Sequence, residues 1–249
     1  MISVVACSLY DAKLKAVQEM YRRAIPGEME FIGARNPPSI AEGYNCAAQN
    51  SKGDILIFSH DDVEIISPDF ARIVEATLKE YDLLGVAGTD KLVGPKWLNA
   101  GPPHLFGQII HASQEPGIYS LNIYGAPRRC VGNIQALDGV FMAMRREVWE
   151  TIRFDEINFD GFHIYDVDFS FSAFLAGRKL CVRNDIHLYH SSRGDYADPN
   201  WSKYADRLTK KHGSGFAAHR QRKHQWAGTY VCNWDEAREI MTPTYWDAQ

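Results

Sequence analysis

Four consecutive apolar residues, Ile55-Leu56-Ile57-Phe58, run directly into Ser59-His60-Asp61-Asp62. A strand that is apolar at every position is buried on both faces, which is the habit of strands in parallel sheets covered by helices. In open α/β sheets ligands bind beyond the carboxyl ends of the strands. The charged group His60-Asp61-Asp62 falls at that place. The run therefore sets both a fold class and a position for chemistry.

The flanking segments agree with this reading. Residues 2–9 form an apolar strand. Residues 11–24 place Leu14, Val17 and Tyr21 on one helical face. A second strand spans 29–33. Ser39-Ile40-Ala41-Glu42 has capping-box spacing and opens a helix that runs to about Asn50, burying Ile40, Tyr44, Ala47 and Ala48. Ser67-Pro68-Asp69 is read as the next helix start, with Pro68 in its first turn and Phe70, Ile73, Val74 and Leu78 on its apolar stripe. Residues 83–87 are the fourth strand. Strand and helix thus alternate over the first 90 residues, which predicts an α/β layer with helices on both faces.

Between Gly88 and Cys130 periodicity fades, and Gly94-Pro95, Gly101-Pro102-Pro103 and Pro116-Gly117 punctuate the chain. Short strands are expected at 107–111 and 118–123, inserted over one face of the sheet. Residues 136–144 read as one strand, 146–152 as a short helix, and 166–176 as a helix burying Val167, Phe171, Phe174 and Leu175. Leu180-Cys181-Val182 is the last core strand.

The 249 residues, 45% of them hydrophobic, suffice for a large core. The net charge of -4 gives no sign of a general nucleic-acid binder. Five widely spaced cysteines match no zinc or disulfide pattern and are expected to be reduced and mostly buried. The apolar N-terminus lacks a basic leader and is read as a strand, not a signal peptide. No apolar run reaches the roughly 18 residues of a membrane span. A cytoplasmic protein is expected, with peripheral membrane contact and self-association both left open.

Residues 200–226 are basic and aromatic. Lys203, Arg207, Lys210, Lys211, Arg220, Arg222 and Lys223 stand among His212, His219, His224, Trp201 and Trp226, opposed within the segment only by Asp206. Such a segment is either a solvated, partly helical tail or a surface for a phosphate-bearing or lipid-linked partner.

Three clusters carry candidate chemistry. His60-Asp61-Asp62 is either a solvated turn or a site where a hard divalent ion relieves the repulsion between adjacent carboxylates. In Tyr165-Asp166-Val167-Asp168 the carboxylates either cap a helix N-terminus or include one that takes a proton from an attacking hydroxyl. In His187-Leu188-Tyr189-His190 the two imidazoles point to opposite faces of an extended stretch, so at most one serves a given ion. The chain lacks Gly-x-Gly-x-x-Gly after its first strand, a phosphate loop, His-Glu-x-x-His and Gly-x-Ser-x-Gly. These absences weigh against dinucleotide oxidoreductases, phosphate-loop ATPases, zincins and serine hydrolases.

In this order the segments resemble glycosyltransferase family 2, nucleotide-diphospho-sugar transferases with the GT-A fold. The likeness covers residues 2–192. It implies a mostly parallel central sheet with helices on both faces, a nucleotide-binding half over 1–90, an acceptor-binding half over 91–192, and a basic, aromatic extension over 193–249. It implies a nucleotide-sugar donor, with uridine diphosphate as the family's usual carrier, and a glycan or lipid-linked acceptor such as a growing bacterial surface polysaccharide. Donor contacts fall on Ala6, Ser8, Tyr10, Arg35, Asn36, Asn45, His60, Asp61 and Gly139. Asp62 and His190 fall at the ligand positions for Mn2+ or Mg2+, with Asp61 as a further carboxylate beside them. Asp166 falls at the general-base position, with Asp168 as the fallback. The chain departs from the family twice: His60 replaces the first aspartate of Asp-x-Asp, and Tyr165 replaces the glutamate of Glu-Asp-x-Asp. A metal-dependent nucleotidyltransferase and an inactive carbohydrate-binding protein are the competing readings.

Overall fold

The computed structural model describes residues 1–125, 128–192, 198–218 and 227–241. The elements run β1 (Ile2–Ser8), α1 (Asp11–Ala24), β2 (Met29–Arg35), α2 (Ile40–Gln49), β3 (Ile55–Ser59), β4 (Val63–Ile65), α3 (Phe70–Thr77), β5 (Leu83–Gly85) and β6 (Ala87–Thr89). After a 3-10 turn at Trp97–Ala100 come β7 (Leu105–Ala112), β8 (Tyr119–Tyr124), β9 (Cys130–Val131), β10 (Ala136–Leu137), β11 (Phe141–Arg145) and α4 (Arg146–Ile152). The chain continues with α5 (Tyr165–Leu175), β12 (Leu180–Arg183), β13 (Leu188–His190), α6 (Pro199–His212), β14 (Ala227–Cys232) and α7 (Trp234–Met241).

Two sheets result. The first has the order β2-β1-β3-β11-β5-β12-β9, and the second β10-β6-β7-β13-β4, with β8 also paired to β7 and β14 to β8. Every residue of β1 is buried, as a central strand covered on both sides requires. The β1-α1-β2 and β2-α2-β3 crossovers step in opposite directions across the sheet, so right-handed connections place α1 and α2 on opposite faces.

The sheets are mixed, which corrects the expectation of a mostly parallel sheet. In the first, β2, β1, β3, β5 and β12 share one direction, whereas β11 and β9 oppose it. In the second, only the β7–β13 contact is parallel. The reason lies in how the chain changes sheets. β3 passes through His60–Asp62 into β4, β5 passes through Val86 into β6, and β12 passes through 184–187 into β13. The second sheet therefore lies beyond the carboxyl ends of these strands. β11 returns from it after β10 and must run back against β3 and β5. The strands expected at 83–87 and 136–144 are each divided at such a passage.

Other local expectations shift for identifiable reasons. Ser39 caps α2 by accepting the Glu42 N–H at 3.1 Å. Helix α3 starts at Phe70, not at Pro68, because the Ser67 hydroxyl bonds the Asp185 carbonyl at 2.8 Å and accepts the His187 N–H at 2.7 Å. Ile40 and Phe174 are only half-buried and Leu175 is exposed. Cys7, Cys181 and Cys232 are buried, Cys130 is half-buried, and Cys46 is exposed; all five are free thiols.

Helix α6 belongs to the main core, burying Tyr204, Ala205 and Leu208 there. Its basic side chains meet acids from residues 155–168. Arg207 and Lys203 pair with Asp160 at 2.8 and 3.2 Å, and Lys211 pairs with Asp155 and Asp168 at 2.8 Å each. The segment's charge is thus opposed by more than Asp206. His219, Arg220, Arg222, Lys223, His224 and Trp226 lie outside the described residues. Among the described residues no helix is long and apolar enough to cross a membrane.

Candidate functional site

The chemistry-bearing residues collect where the chain passes between sheets. His60, Asp61 and Asp62 bridge β3 and β4, and Asp138-Gly139-Val140 bridge β10 and β11. His190 ends β13 opposite Val63. The Ser191 N–H donates to the Asp62 carbonyl at 2.9 Å, which closes that corner. At the start of α5, Ile164 takes φ 66°, a left-handed conformation that a β-branched residue adopts only under constraint. That turn delivers Tyr165 and Asp166 to the same corner.

His190 Nε2 lies 3.1 Å from Asp62 Oδ1, 3.2 Å from His60 Nδ1 and 3.1 Å from Ser192 Oγ. One imidazole nitrogen serves a single hydrogen-bond direction, yet three polar atoms converge on it. Ligand atoms at right angles around a cation with bonds of about 2.1 Å sit about 3.0 Å apart. The observed separations are close to that edge, and one ligand atom from each of His60, Asp62 and His190 lies within 4.8 Å of the others. The residues present therefore fit a divalent ion. Burial opposes ionisation of Asp62, but the His190 hydrogen bond and charge outweigh it and hold the carboxyl well below its usual range. Burial, with His190 beside it, pushes His60 down to about 4, so its imidazole is neutral at pH 7.

On the other side, Asp166 Oδ2 accepts the Gly139 N–H at 2.7 Å. Burial, followed by the nearby Asp138 charge, pushes the Asp166 carboxyl up to about 7. Gly139 makes this approach feasible: a Cβ there would stand 2.7 Å from Asp166 Cβ and 2.8 Å from Tyr165 Oη. Asp138 accepts the Trp97 indole N–H at 3.2 Å.

Two of the cavities at this corner meet at a common wall. One of about 280 Å³ is lined by Ser8, Lys13, Pro37, Tyr44, Asp61 and Asp62 among others. The second, of about 370 Å³, is lined by Asp138, Gly139, Asp166 and His190 with Trp97, Tyr124 and Trp201. His60, Phe162 and Tyr165 line both and form their common wall.

The residues expected to form the site divide accordingly. Ser8, His60, Asp61, Asp62, Gly139, Asp166 and His190 line these cavities. Asp61 is held apart from the histidines, accepting the Ser8 hydroxyl and lying 3.6 Å from Lys13 Nζ. His187 is also separate, as the alternation of an extended stretch requires. Ala6 is fully buried in β1. Tyr10 is exposed, Arg35 is ion-paired with Asp11 at 2.8 Å, and the Asn36 N–H ties β2 to the Ser8 carbonyl at 2.8 Å. None of these four lines either cavity.

The side chains of Asn45 and Asp168 are engaged away from both cavities. Asn45 is saturated internally: its amide donates to Phe154 O and Glu156 Oε2 while its oxygen accepts from Trp149 Nε1 and Phe154 N. It clamps α2 to the segment after α4. Asp168 is buried, facing Lys211 and His212 of α6 with contacts of 2.8 Å. One residue-pair spacing on α5 thus separates a carboxylate at the cavity from one that anchors a helix.

Sequence reasoning missed Lys13, Trp97, His111, Tyr124 and Thr229, all of which line a cavity, and placed Trp201 only in the basic segment rather than in the site. His111 joins through strand pairing, its ring 5.4 Å from His190 and its Nδ1 3.0 Å from the Ser192 carbonyl. The clue available was the density of aromatic and histidine residues in the aperiodic stretch 95–124.

With this architecture in view, the comparisons define the class of protein. The model described as "Glycosyltransferase like family" matches residues 3–212, and the chain belongs to that family. The chain is 29% identical over 226 residues to "ATP synthase subunits region ORF 6" of Fuscovulum blasticum, covering 84% of this chain and 83% of that protein. Its fold resembles those of GT-A glycosyltransferases. The mannosyltransferase PcManGT from Pyrobaculum calidifontis, solved with GDP-Man and Mn2+, aligns with TM-score 0.50 at 10% identity, over 89% of this chain and 65% of that one. S. aureus TarS 1-349 with UDP-GlcNAc aligns with TM-score 0.50 at 12% identity, over 88% and 68%. The chain thus spans about two thirds of the solved relatives.

Proposed function

We propose that the protein is an inverting glycosyltransferase that moves a sugar from a nucleotide-diphosphate donor to an acceptor hydroxyl. One observation carries the reading: Asp62 and Asp166 open onto two cavities that share the wall of His60, Phe162 and Tyr165. The smaller cavity takes the donor, with Lys13 beside its phosphates. Asp62 and His190 would hold Mn2+ or Mg2+. When bound, such an ion offsets the charge that grows on the departing diphosphate.

The larger cavity takes the acceptor. Its aromatic walls of Trp97, Tyr124 and Trp201 suit the apolar faces of sugar rings, with polar groups fixing orientation. The acceptor oxygen attacks the anomeric carbon, the bond from that carbon to the diphosphate oxygen breaks, and the hydroxyl proton passes to Asp166. A carboxyl raised to about 7 is basic enough to take that proton and is half ionised near neutrality. The Gly139 N–H fixes its direction. A single displacement inverts the anomeric centre. We take uridine diphosphate as the carrier and a glycan or lipid-linked glycan as the acceptor.

An assay of transfer and hydrolysis over a set of nucleotide-sugars, with Mn2+ and Mg2+, tests the reading. Asp166→Asn should lower turnover by about 10²–10⁴-fold with donor binding retained. Unchanged turnover in that variant removes Asp166 as the base.

A further inference from the structure

The two departures from the family pattern touch each other. His60, where an aspartate is usual, places Nε2 2.9 Å from the hydroxyl of Tyr165, where a glutamate is usual. The other nitrogen of the same ring, Nδ1, faces His190 Nε2 at 3.2 Å. A ring nitrogen offered to a cation must carry its lone pair, which places the proton on the opposite nitrogen. The partner of that second nitrogen then fixes both tautomer and ring orientation. Tyr165 is well suited to this task. It is buried, edge-on to Tyr44 with ring centroids 5.8 Å apart, and begins α5 directly after the strained Ile164. In that tautomer the Tyr165 hydroxyl oxygen accepts a hydrogen bond from His60 Nε2–H, and no charge is added to the corner.

We propose that His60, held by Tyr165, is a direct ligand through Nδ1, so that the cation site is a two-histidine, one-carboxylate centre that favours later first-row divalent ions over Mg2+. This rests on the cation site in the proposed function and adds a ligand and a selectivity to it. The chemistry follows from the donor set. Imidazole nitrogen is a good ligand for Co2+, Ni2+ and Zn2+, whereas Mg2+ prefers oxygen from carboxylates and water. Replacing a carboxylate by an imidazole removes a negative oxygen donor and supplies a nitrogen one, which steepens the affinity order along the row. His60 and Tyr165 are therefore a matched pair: the histidine supplies the ligand atom and the tyrosine is its positioning residue.

Calorimetric titration of the full-length chain with Co2+, Mn2+ and Mg2+, together with the visible spectrum of bound Co2+, tests this. The expected order is Co2+ over Mn2+ over Mg2+, with Co2+ at least about tenfold tighter than Mg2+. His60→Asp should reduce that ratio and alter the Co2+ spectrum. Tyr165→Phe, which keeps the ring packing, should weaken Co2+ by about 10- to 100-fold with an unchanged far-ultraviolet circular dichroism spectrum. His60→Gln is read in the same way if His60→Asp does not fold. Equal affinities for Co2+ and Mg2+, or a His60 variant with the wild-type ratio and spectrum, overturns the assignment. Loss of sugar transfer as an activity, with the affinity order intact, overturns the proposed function and leaves this one standing.

Discussion

The two sides of the catalytic corner are built in different ways. The smaller cavity is formed at strand ends of the parallel part of the first sheet, where β1 and β3 deliver Ser8 and His60–Asp62 over short stretches of chain. The larger cavity is lined from the second, mainly antiparallel sheet, from the loop before β7, from α5, and from Trp201 and Thr229 much later in the chain. On the first side, polar groups are already engaged with one another at contacts near 3 Å. On the second, aromatic faces surround a larger space. In the proposed function, a diphosphate is a constant partner that a few strand-end residues can hold. An acceptor is recognised by area, and area has to be collected from many segments.

This contrast can be broken at several points. The largest effect is expected for Asp62→Ala, which should weaken metal-dependent donor binding by more than about 100-fold while acceptor binding persists; calorimetry with donor alone and acceptor alone decides it. Next is the pH profile. Protonation of Asp166 removes the base, so kcat/KM should rise through about pH 7 and fall almost tenfold per unit well below it. A flat profile from pH 5 to 8 would detach Asp166 from the reaction. Asp168→Asn should cost about 2–3 kcal/mol of stability by leaving Lys211 and His212 without their buried carboxylate, with the pH midpoint of activity unmoved. Chemical denaturation alongside the rate profile separates this anchoring role from that of Asp166. The smallest effect is expected for Trp97→Leu, which should raise the acceptor KM by about five- to tenfold, equivalent to about 1–1.4 kcal/mol, and leave the donor KM unchanged.

The same contrast explains what could be read from the sequence. The side of the smaller cavity was legible because the all-apolar run 55–58 and the charged residues after it are adjacent in the chain, and periodicity located β1, α1, α2 and β3. The mixed sheet was not legible. Residues 83–87 carry a continuous apolar pattern with no mark of the passage at Val86, and in 136–144 the turn dipeptide Asp138-Gly139 was read through as part of one strand. One of those passages holds Asp138, which was not among the expected site residues, so a single cause hid both the topology and part of the site. The internal engagement of Asn45 was not legible because its motif spacing carries no information about Trp149 and Phe154, about a hundred residues away, which donate to its amide oxygen. Asp166 and Asp168 could not be told apart from their spacing; the partner that distinguishes them, α6, comes more than thirty residues later.

One consequence follows from β14. It pairs along the length of β8 and brings Thr229 to the rim of the larger cavity, yet it lies beyond residue 212, where the match to the family ends. In the proposed function, one strand that lines the acceptor cavity thus falls outside the portion by which the family is recognised.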